Sequence, residues 1–343
     1  MKFTLAWLKD HLDTEADLNT IIDRLTVIGL EVESVKDRAK GLEAFRVGQV
    51  LEANQHPDAD RLRVCIVDTG DQEFQVVCGA PNARTGMKGV FAPEGSYIPG
   101  TGITLKRATI RGVESCGMLL SEREMGISEE HEGIVDLRKD APIGASAIQV
   151  MGLDDPIIEI AITPNRGDCL GIRGIARDLA AAGVGTIKPL DGIYVPGCFD
   201  SPIDVALDFP NEKKNACPYF IGRYVRGVKN GPSPAWVQDK LVAVGLRPIS
   251  ALVDVTNLMT IEFGRPLHVF DAAKVKGSLR PRMARASESI LALDGKTYAM
   301  DEEMCVIGDD VNAHALGGIM GGELSGCIEE TTDVFIECAY FDP

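Results

Sequence analysis

The stretch RLRVCIVDTG, residues Arg61–Gly70, is a short strand-like run bounded by turn-forming residues, and it indicates the architecture of the first half of the chain. Five more such runs lie around it: FRVGQVLEA (45–53), EFQVVCGA (73–80), KGVFAPEG (88–95), ITLKRATIRG (103–112) and EGIVDL (132–137). Glycine, proline and aspartate separate the runs at the short intervals that are typical of small all-β domains. Residues 40–150 are therefore predicted to close as a small β-barrel.

Partly helical patterns flank this predicted barrel on both sides. Before it, apolar residues recur at helical spacing until a glycine provides a stop. These residues are Leu18, Ile21, Ile22, Leu25, Ile28 and Gly29. After the barrel, IIEIAIT (157–163) is typical of a buried strand, and Gly171–Val184 is predicted to form a helix with Gly183 or Gly185 near its end.

A Gly- and Pro-rich stretch at 185–197 is predicted to be a linker to the last part of the chain. From about residue 200 an α+β pattern follows, in which PYFIGRYVRGV (218–228) and VFIECAYF (334–341) are strand-like. Ser233 and Pro234 are predicted to be the N-cap and the first-turn proline of a helix, AWVQDKLVAVG (235–245).

Composition indicates a soluble chain of two or three domains. The N-terminus places charged residues too early for a signal-peptide core, and no apolar run approaches the ~18 residues of a membrane span. The nine cysteines are odd in number and contain no CxxC pair, which argues against a disulfide framework or a zinc site. We therefore expect a cytoplasmic protein with reduced thiols, no metal and no membrane partner.

The net charge of −16 argues against a protein that holds nucleic acid by bulk electrostatics. An RNA partner would have to meet local basic patches or a positive field from another subunit. One candidate patch in the barrel comprises Arg61, Arg63, Lys106, Arg107 and Arg111. Residues 39–150 hold 12 basic and 16 acidic residues, however, so solvated strand faces are the favoured interpretation of this set.

Long motifs in the barrel resemble a known tRNA-binding OB module: HPDADRLRVCIVDTG (56–70), VVCGAPNA (76–83) and IRGVESCGMLLSEREMG (110–126). Later motifs resemble the editing domain of the bacterial phenylalanyl-tRNA synthetase beta subunit: LVDVTNLMTIEFGRPLHVFD (252–271), GGIMGGELSG (317–326) and VFIECAYF. FTLAWLKDHLD (3–13) and residues 154–182 resemble the same family in the same order. The resemblance covers essentially the whole chain.

The resemblance implies an α+β multidomain architecture. Residues 1–38 plus 151–190 would form one discontinuous, winged-helix-like helical domain. The OB barrel of residues 40–150 would be inserted between its halves. An α/β editing domain would follow at 200–343 and would be incomplete at its C-terminus, since the sequence stops at Asp342-Pro343. We expect the chain to be an expressed fragment of the subunit.

The resemblance also implies a function. The family ligates phenylalanine to its tRNA with ATP and Mg²⁺ as an α₂β₂ enzyme, and this region supports tRNA handling and hydrolyses tyrosyl-tRNA(Phe). The implied partners are the alpha subunit, a second beta subunit and tRNA(Phe). Because the chain has no Walker loop and no class II ATP-binding motif, we expect it to bind no cofactor and to form no phenylalanyl-tRNA by itself.

Carried over by motif, the editing pocket would contain eight residues. Catalytic roles would fall to His268, Asn257 and Thr256, and substrate-binding roles to Glu337, Gly317, Gly318, Arg247 and Pro266. Ester hydrolysis needs an oriented water and donors for the developing oxyanion. Since a phenylalanine site rejects an added hydroxyl only by roughly 10²-fold, a second site must read that hydroxyl, and Glu337 or His268 fits this role.

Purely structural interpretations stay open for several of these residues. His268 alone would be interpreted as a loop histidine, and the GGIMGG glycines permit a close backbone approach in a turn or beside a ligand. His56 with Asp58 and Asp60 suggests a metal, but an Asx-stabilised turn is favoured. The alternative function is a non-catalytic tRNA-binding or scaffold protein built around the OB fold. The polar set from Thr256 to Glu337 favours the editing esterase.

Overall fold

A computed structural model describes residues 1–190, 192 and 194–342. The chain divides into two compact units, Met1–Ser34 with Glu159–Pro343, and Val35–Ile158. The second unit is therefore a continuous insertion into the first. In the described part of the chain, no helix is long and apolar enough to cross a membrane. All nine cysteines are free thiols.

The first unit begins with short elements: β1 (Lys2–Thr4), α1 (Leu5–His11), β2 (Leu12–Asp13), α2 (Leu18–Val27) and β3 (Val32–Lys36). Thr4 caps α1 by accepting a hydrogen bond from the Trp7 amide, and Asp17 caps α2 by accepting one from the Thr20 amide. Gly29 follows α2 with a φ of +85°, which confirms the predicted stop.

The inserted unit is mostly antiparallel sheet. Its elements are β4 (Arg46–His56), β5 (Ala59–Asp68), β6 (Glu73–Cys78), β7 (Lys88–Ala92), β8 (Tyr97–Ile98), β9 (Ile103–Thr104), β10 (Ala108–Ile110), β11 (Val113–Ser115), β12 (Met118–Leu119), α3 (Glu122–Met125) and α4 (Ala147–Val150). Five strands form one sheet in the order β12-β7-β4-β5-β6. The Cys116 amide, just before β12, donates to the Gln75 carbonyl of β6 at 2.8 Å. The two edges of the sheet therefore approach each other.

One predicted strand of this unit is wrong. EGIVDL forms no strand, because its amides bond to separate segments: the Val135 amide donates to the Leu120 carbonyl and the Leu137 amide to the Lys88 carbonyl. The other five runs all contain strands.

The chain then returns to the first unit through β13 (Ile157–Ile160), a 3₁₀ turn (Gly167–Cys169), α5 (Ile172–Ala181) and β14 (Thr186–Ile187). Strand β13 lies between β1 and β3, and α5 packs against α1. Strand β14 pairs antiparallel with β2, so the beginning of the predicted linker at 185–197 is ordered structure instead. Asp191 and Ile193 of that stretch lie outside the described residues.

The rest of the first unit contains β15 (Tyr219–Val225), α6 (Ala235–Ala243), α7 (Ala251–Phe263), β16 (His268–Asp271), β17 (Arg280–Met283), β18 (Ser289–Leu291), β19 (Thr297–Ala299), β20 (Cys305–Gly308), β21 (Ala313–Leu316), β22 (Met320–Gly321) and β23 (Val334–Tyr340), with 3₁₀ turns at Asn211–Lys213, Ala272–Lys274 and Glu323–Ser325. One sheet has the order β15-β23-β16 and a second has the order β17-β20-β21-β22. Phe270 and Phe335 of the first sheet share a buried core with Ile307 and Ala315 of the second. This core positions the site described below.

The predicted helix cap at Ser233 is also wrong. Helix α6 begins at Ala235, and no side chain caps its N-terminus. The Ser233 hydroxyl donates instead to the carboxylate of Asp254, which is fully buried on α7. A buried carboxylate without hydrogen-bond donors costs more free energy than an uncapped helix terminus near the surface. The hydroxyl therefore bonds to Asp254, and this bond links the start of α6 to α7.

Candidate active site

His268 and Glu337 lie directly opposite each other on neighbouring strands. In the antiparallel register of β16 and β23, His268 pairs with Glu337, and on the other side of β23, Gly222 of β15 pairs with the same glutamate. Directly opposite residues project to the same face of a sheet with their Cβ atoms about 5 Å apart. The imidazole and the carboxyl group therefore share one face, beside a position that has no side chain.

The end of α7 determines where His268 stands. Gly264 terminates the helix in the left-handed conformation, with a φ of +64°, and its amide donates to the Thr260 carbonyl. Pro266 cannot continue a helix, because it has no amide hydrogen to donate. The chain therefore becomes extended, and β16 begins at His268.

A cavity of about 330 Å³ opens above this pair of residues. Its floor includes His268 and Glu337, the second sheet contributes Ile307 and Ala315, and the remaining wall includes the segment 318–321. Cavities of this size, mostly apolar and with a few polar groups, are typical of small-molecule sites.

Both polar groups in the cavity lack a hydrogen-bond partner among the described residues. Glu337 is only 6% exposed, its Oε2 atom is unpaired, and burial raises the pKa of its carboxyl group to about 7. The Nε2 atom of His268 is also buried and unpaired. Burial, followed by the charge of His314, lowers the pKa of His268 to about 4. An unpaired buried polar group costs about 1–3 kcal/mol, and such groups in a cavity mark a place where a ligand supplies the partner.

The glycines of GGIMGG serve close contacts within the chain itself. Gly318 has a φ of +69°, and the Ile319 amide donates to the Leu316 carbonyl at 3.1 Å, which closes a turn after β21. A Cβ atom at Gly317 would lie 2.9 Å from the Cys305 sulfur. These glycines therefore permit a close backbone approach in a turn, which is one of the interpretations given from the sequence.

Gly321 is a site residue that the sequence interpretation missed. A Cβ atom at this position would lie 2.3 Å from the Cε1 atom of His268, so only glycine lets the backbone of β22 pack against the imidazole edge. Its position in the same motif as Gly317 and Gly318 was the available signal. Gly321 and Gly318 both line the cavity.

Four of the eight predicted pocket residues line the cavity: Pro266, His268, Gly318 and Glu337. The other four do not. Thr256 and Asn257 lie on α7, where the Thr256 hydroxyl donates to the Val253 carbonyl at 2.7 Å. Arg247 is exposed in the loop between α6 and α7, and Gly317 packs on Cys305.

A second histidine lies behind the first, and no sequence signal pointed to it. His314 and Asp309 are fully buried, with their Nε2 and Oδ2 atoms 2.7 Å apart. The Phe270 ring lies edge-on to both imidazoles, with centroid distances of 4.5 Å to His268 and 6.3 Å to His314. His314 is part of the packing that fixes the His268 ring.

The predicted basic face of the inserted unit is largely occupied by the chain itself. Arg107 pairs with Glu94 and Glu114 at 3.5 and 3.4 Å, and the Arg111 guanidinium donates to the Asp58 carbonyl at 3.0 Å. Arg63 donates to the Ala53 carbonyl at 3.3 Å. Within the described residues, only Arg61 and Lys106 of the set are exposed without a hydrogen bond or ion pair.

His56 has a structural environment rather than that of a metal ligand. Its Nε2 atom bonds to the Ile110 carbonyl at 3.1 Å, and its Nδ1 atom accepts from the Asp58 amide at 3.0 Å. In the first unit, Asp168, Cys169 and Asp178 come close enough to hold a metal ion. Their carboxylates are paired with Arg166 and Arg177, which leaves little charge for a cation to neutralise.

Comparison with known proteins finds one family match in each of the two compact units of the chain. The profile of the B3/4 domain family matches residues 216–343, and that of the putative tRNA binding domain family matches residues 45–146. Phenylalanine–tRNA ligase beta subunits are similar over the whole chain: that of Cereibacter sphaeroides is 59% identical and that of Paramagnetospirillum magneticum 58% identical, each over 100% of this chain. The chain belongs to this beta-subunit family. It spans 43% of the length of these two relatives.

Solved structures resemble the chain only in part. An N-terminal fragment of the phenylalanyl-tRNA synthetase beta subunit from Pyrococcus horikoshii is 16% identical, with a TM-score of 0.33 over 55% of this chain and 57% of that one. A MetRS-related protein from the same organism is 27% identical, with a TM-score of 0.22 over 29% of this chain and 85% of that one. Membership of the phenylalanine–tRNA ligase beta-subunit family therefore rests on sequence, as the motifs predicted.

Proposed function

We propose that the cavity between β16, β23 and the 318–321 segment is an editing site that hydrolyses tyrosyl-tRNA(Phe). The unpaired carboxyl group of Glu337 beside the unpaired imidazole of His268 carries this proposal. A scaffold protein, the alternative function, would gain nothing from leaving two buried polar groups without partners, because each costs stability.

In the proposed mechanism Glu337 reads the tyrosine hydroxyl. A phenol in the cavity supplies the partner that the Oε2 atom lacks, whereas a phenylalanine ring leaves the carboxyl group unpaired. With a pKa of about 4, the His268 imidazole is neutral at pH 7, so it donates through one nitrogen and accepts through the other. It thereby orients the attacking water or the ester.

The backbone supplies the donor for the oxyanion in this proposal. The Gly317 amide already donates to the Cys305 carbonyl at 2.9 Å. The Gly318 amide makes no hydrogen bond with a described residue, and Gly318 lines the cavity. Gly318 is therefore the proposed donor, while the catalytic roles assigned to Thr256 and Asn257 stay predictions.

In the wider proposal the chain is the tRNA-handling and editing part of a ligase that works in the cytoplasm with an alpha subunit, a second beta subunit, tRNA(Phe), ATP and Mg²⁺. The approach of the sheet edges at Cys116 and Gln75 supports an OB-type barrel over residues 40–150. The packing of α1 on α5 supports one helical, winged-helix-like domain built from 1–38 and 151–190. Residues 200–343 then form the editing domain.

Deacylation kinetics test the editing proposal. In the complete ligase, Glu337→Ala should reduce the preference in kcat/KM for tyrosyl- over phenylalanyl-tRNA by about ten- to hundredfold, the worth of one hydrogen bond to a charged group. His268→Ala should slow the hydrolysis of both esters to a similar extent. Glu323→Ala, which removes an exposed carboxylate outside the cavity, is the matched control.

Melting temperatures of the variants separate chemistry from folding. If Glu337→Ala keeps the full preference for tyrosine, then Glu337 is not the hydroxyl reader and His268 takes that role. If neither variant changes hydrolysis, the cavity is not the editing site.

A further inference from the structure

The mouth of the cavity carries an exposed apolar rim. Ile319 lines the cavity and yet is 79% exposed, because the turn at Gly318 directs it outward from the end of β21. The rim continues at Leu293, which is 52% exposed and whose amide donates to the Gly321 carbonyl at 3.0 Å. Its Cδ1 atom would lie 3.0 Å from a Cβ atom at Gly321. Single exposed apolar residues are ordinary, but Ile319 lines the cavity itself and Leu293 contacts Gly321, which also lines it.

An unpaired cation lies next to a cavity-lining residue in the chain. Arg265 directly precedes the cavity-lining Pro266, so the two Cα atoms are about 3.8 Å apart. Arg265 is exposed and makes no ion pair or hydrogen bond with any residue that the structure describes. Two other arginines of this unit are paired within the chain: Arg280 pairs with Asp310 and Arg282 with Glu288.

We propose that Ile319 and Arg265 together receive the 3′-terminal nucleotide of the RNA, with the terminal nucleoside on Ile319 and its phosphate on Arg265. This inference rests on the proposed editing function. If the amino acid fills the cavity with its ring toward Glu337, the ester bond and the ribose must stand at the mouth. An apolar side chain suits the face of a nucleobase or a ribose, and a guanidinium matches a phosphate. In a chain with a net charge of −16, such a local cation is what an RNA end requires.

Three substrates of decreasing size separate these contacts: tyrosyl-tRNA(Phe), the adenosine ester of tyrosine, which has no phosphate, and tyrosine ethyl ester, which has no nucleoside. In the complete ligase, Arg265→Ala should raise KM for tyrosyl-tRNA by about two- to fivefold, as expected for one exposed charge contact, and leave both small esters unchanged. Ile319→Ala should raise KM by about fivefold for tyrosyl-tRNA and for the adenosine ester, and leave the ethyl ester unchanged.

Salt dependence gives a readout that a loss of folding would not imitate. A plot of log KM against log salt for tyrosyl-tRNA should become shallower by about 0.7 in Arg265→Ala, which is the share of one single-strand phosphate. Arg265→Lys should keep the wild-type slope. Arg285→Ala, which removes an exposed arginine elsewhere in the same unit, should change nothing.

The proposal is overturned if Arg265→Ala affects all three substrates equally, or if it affects none. An Ile319→Ala variant whose defect persists on the ethyl ester would overturn the nucleoside contact, because the residue would then act on the amino acid. If the unaltered ligase hydrolyses none of the three esters, the editing function itself fails. That result differs from a failure of the Ile319 and Arg265 contacts alone, in which the unaltered ligase still hydrolyses the esters.

Discussion

At the scale of single residues, burial shifts the protonation of the two polar groups in this site. Since the cavity withdraws them from water, burial raises the pKa of Glu337 to about 7 and lowers that of His268 to about 4, so each group is driven toward its uncharged form. Above pH 7 the Glu337 carboxyl group ionises with its Oε2 atom unpaired. The folded chain therefore becomes less stable as the pH rises, whereas a bound phenol would donate a hydrogen bond to the unpaired charge.

Stability measured against pH tests this description of Glu337. Its pKa is higher in the folded chain than the ordinary 4.5, so its contribution to stability is fully present below about pH 4.5 and is lost as the pH rises to about 7. At one pKa unit per ~1.4 kcal/mol, the rise in pKa from 4.5 to about 7 means that Glu337→Gln should be more stable than the unaltered chain by roughly 3–4 kcal/mol at pH 8. The difference should shrink toward pH 4.5.

Urea unfolding at several pH values between 4.5 and 8 measures the difference. His268 acts in the opposite sense, since its lowered pKa makes stability present above pH 6.5 and lost as the pH falls toward 4. Both proteins keep His268, so the difference between them isolates Glu337. A difference that does not vary with pH would refute the buried, neutral glutamate.

At the scale of elements, strand register decides the site. Strand β23 is held by seven residue pairs with β15 and four with β16, and this double pairing fixes His268 opposite Glu337. A slip of one residue would turn Glu337 to the other face of the sheet. Strand β22 completes the site, because Gly321 lets its backbone lie against the imidazole.

Gly321→Ala tests the role of this glycine. The added Cβ atom would lie 2.3 Å from the His268 Cε1 atom and must displace the ring. Misplacing a catalytic group by about 1 Å costs on the order of 10²-fold in rate, so deacylation of tyrosyl-tRNA should fall by about ten- to hundredfold. Gly197→Ala is the matched control, because a Cβ atom there meets nothing within 4 Å. Equal activities of the two variants would mean that Gly321 does not position His268.

At the scale of the whole molecule, the inserted unit and the proposed editing cavity are separate in the chain. Every residue that lines the cavity belongs to the unit Met1–Ser34 with Glu159–Pro343. The ends of the insertion are close together, since the Ser34 hydroxyl donates to the Glu159 carboxylate at 3.0 Å. Insertions with adjacent ends are typical of modules that fold as units.

Removing residues 37–156 from the complete beta subunit, which leaves strands β3 and β13 whole, tests this separation. With Lys36 joined to Ile157 through a short Gly-Ser linker, the variant should hydrolyse tyrosine ethyl ester within about twofold of the unaltered rate, because no atom of the cavity is lost. Ester hydrolysis and the melting temperature are measured together. A variant that stays folded but loses ester hydrolysis would show that the cavity depends on the insertion.

The sequence by itself determined the family, five of the six strand-like runs of the inserted unit, and strand β23 with its glutamate. Apolar periodicity and turn residues are local signals, and long motifs carry the family resemblance directly. The local signals gave a wrong prediction where a partner distant in the chain takes the hydrogen bond. EGIVDL bonds to two separate segments instead of a ladder, and the Ser233 hydroxyl serves a buried carboxylate on α7 instead of its own helix.

Only the tertiary structure decided which polar residues share the cavity. It placed His268 and Glu337 in one cross-strand pair, left Thr256, Asn257 and Arg247 outside, and added Gly321 from a third element. The physical reason is that a cavity is bounded by elements far apart in the chain. Its polar groups acquire their unusual pKa values from the water excluded when those elements pack together, and no local pattern of residues reports that exclusion.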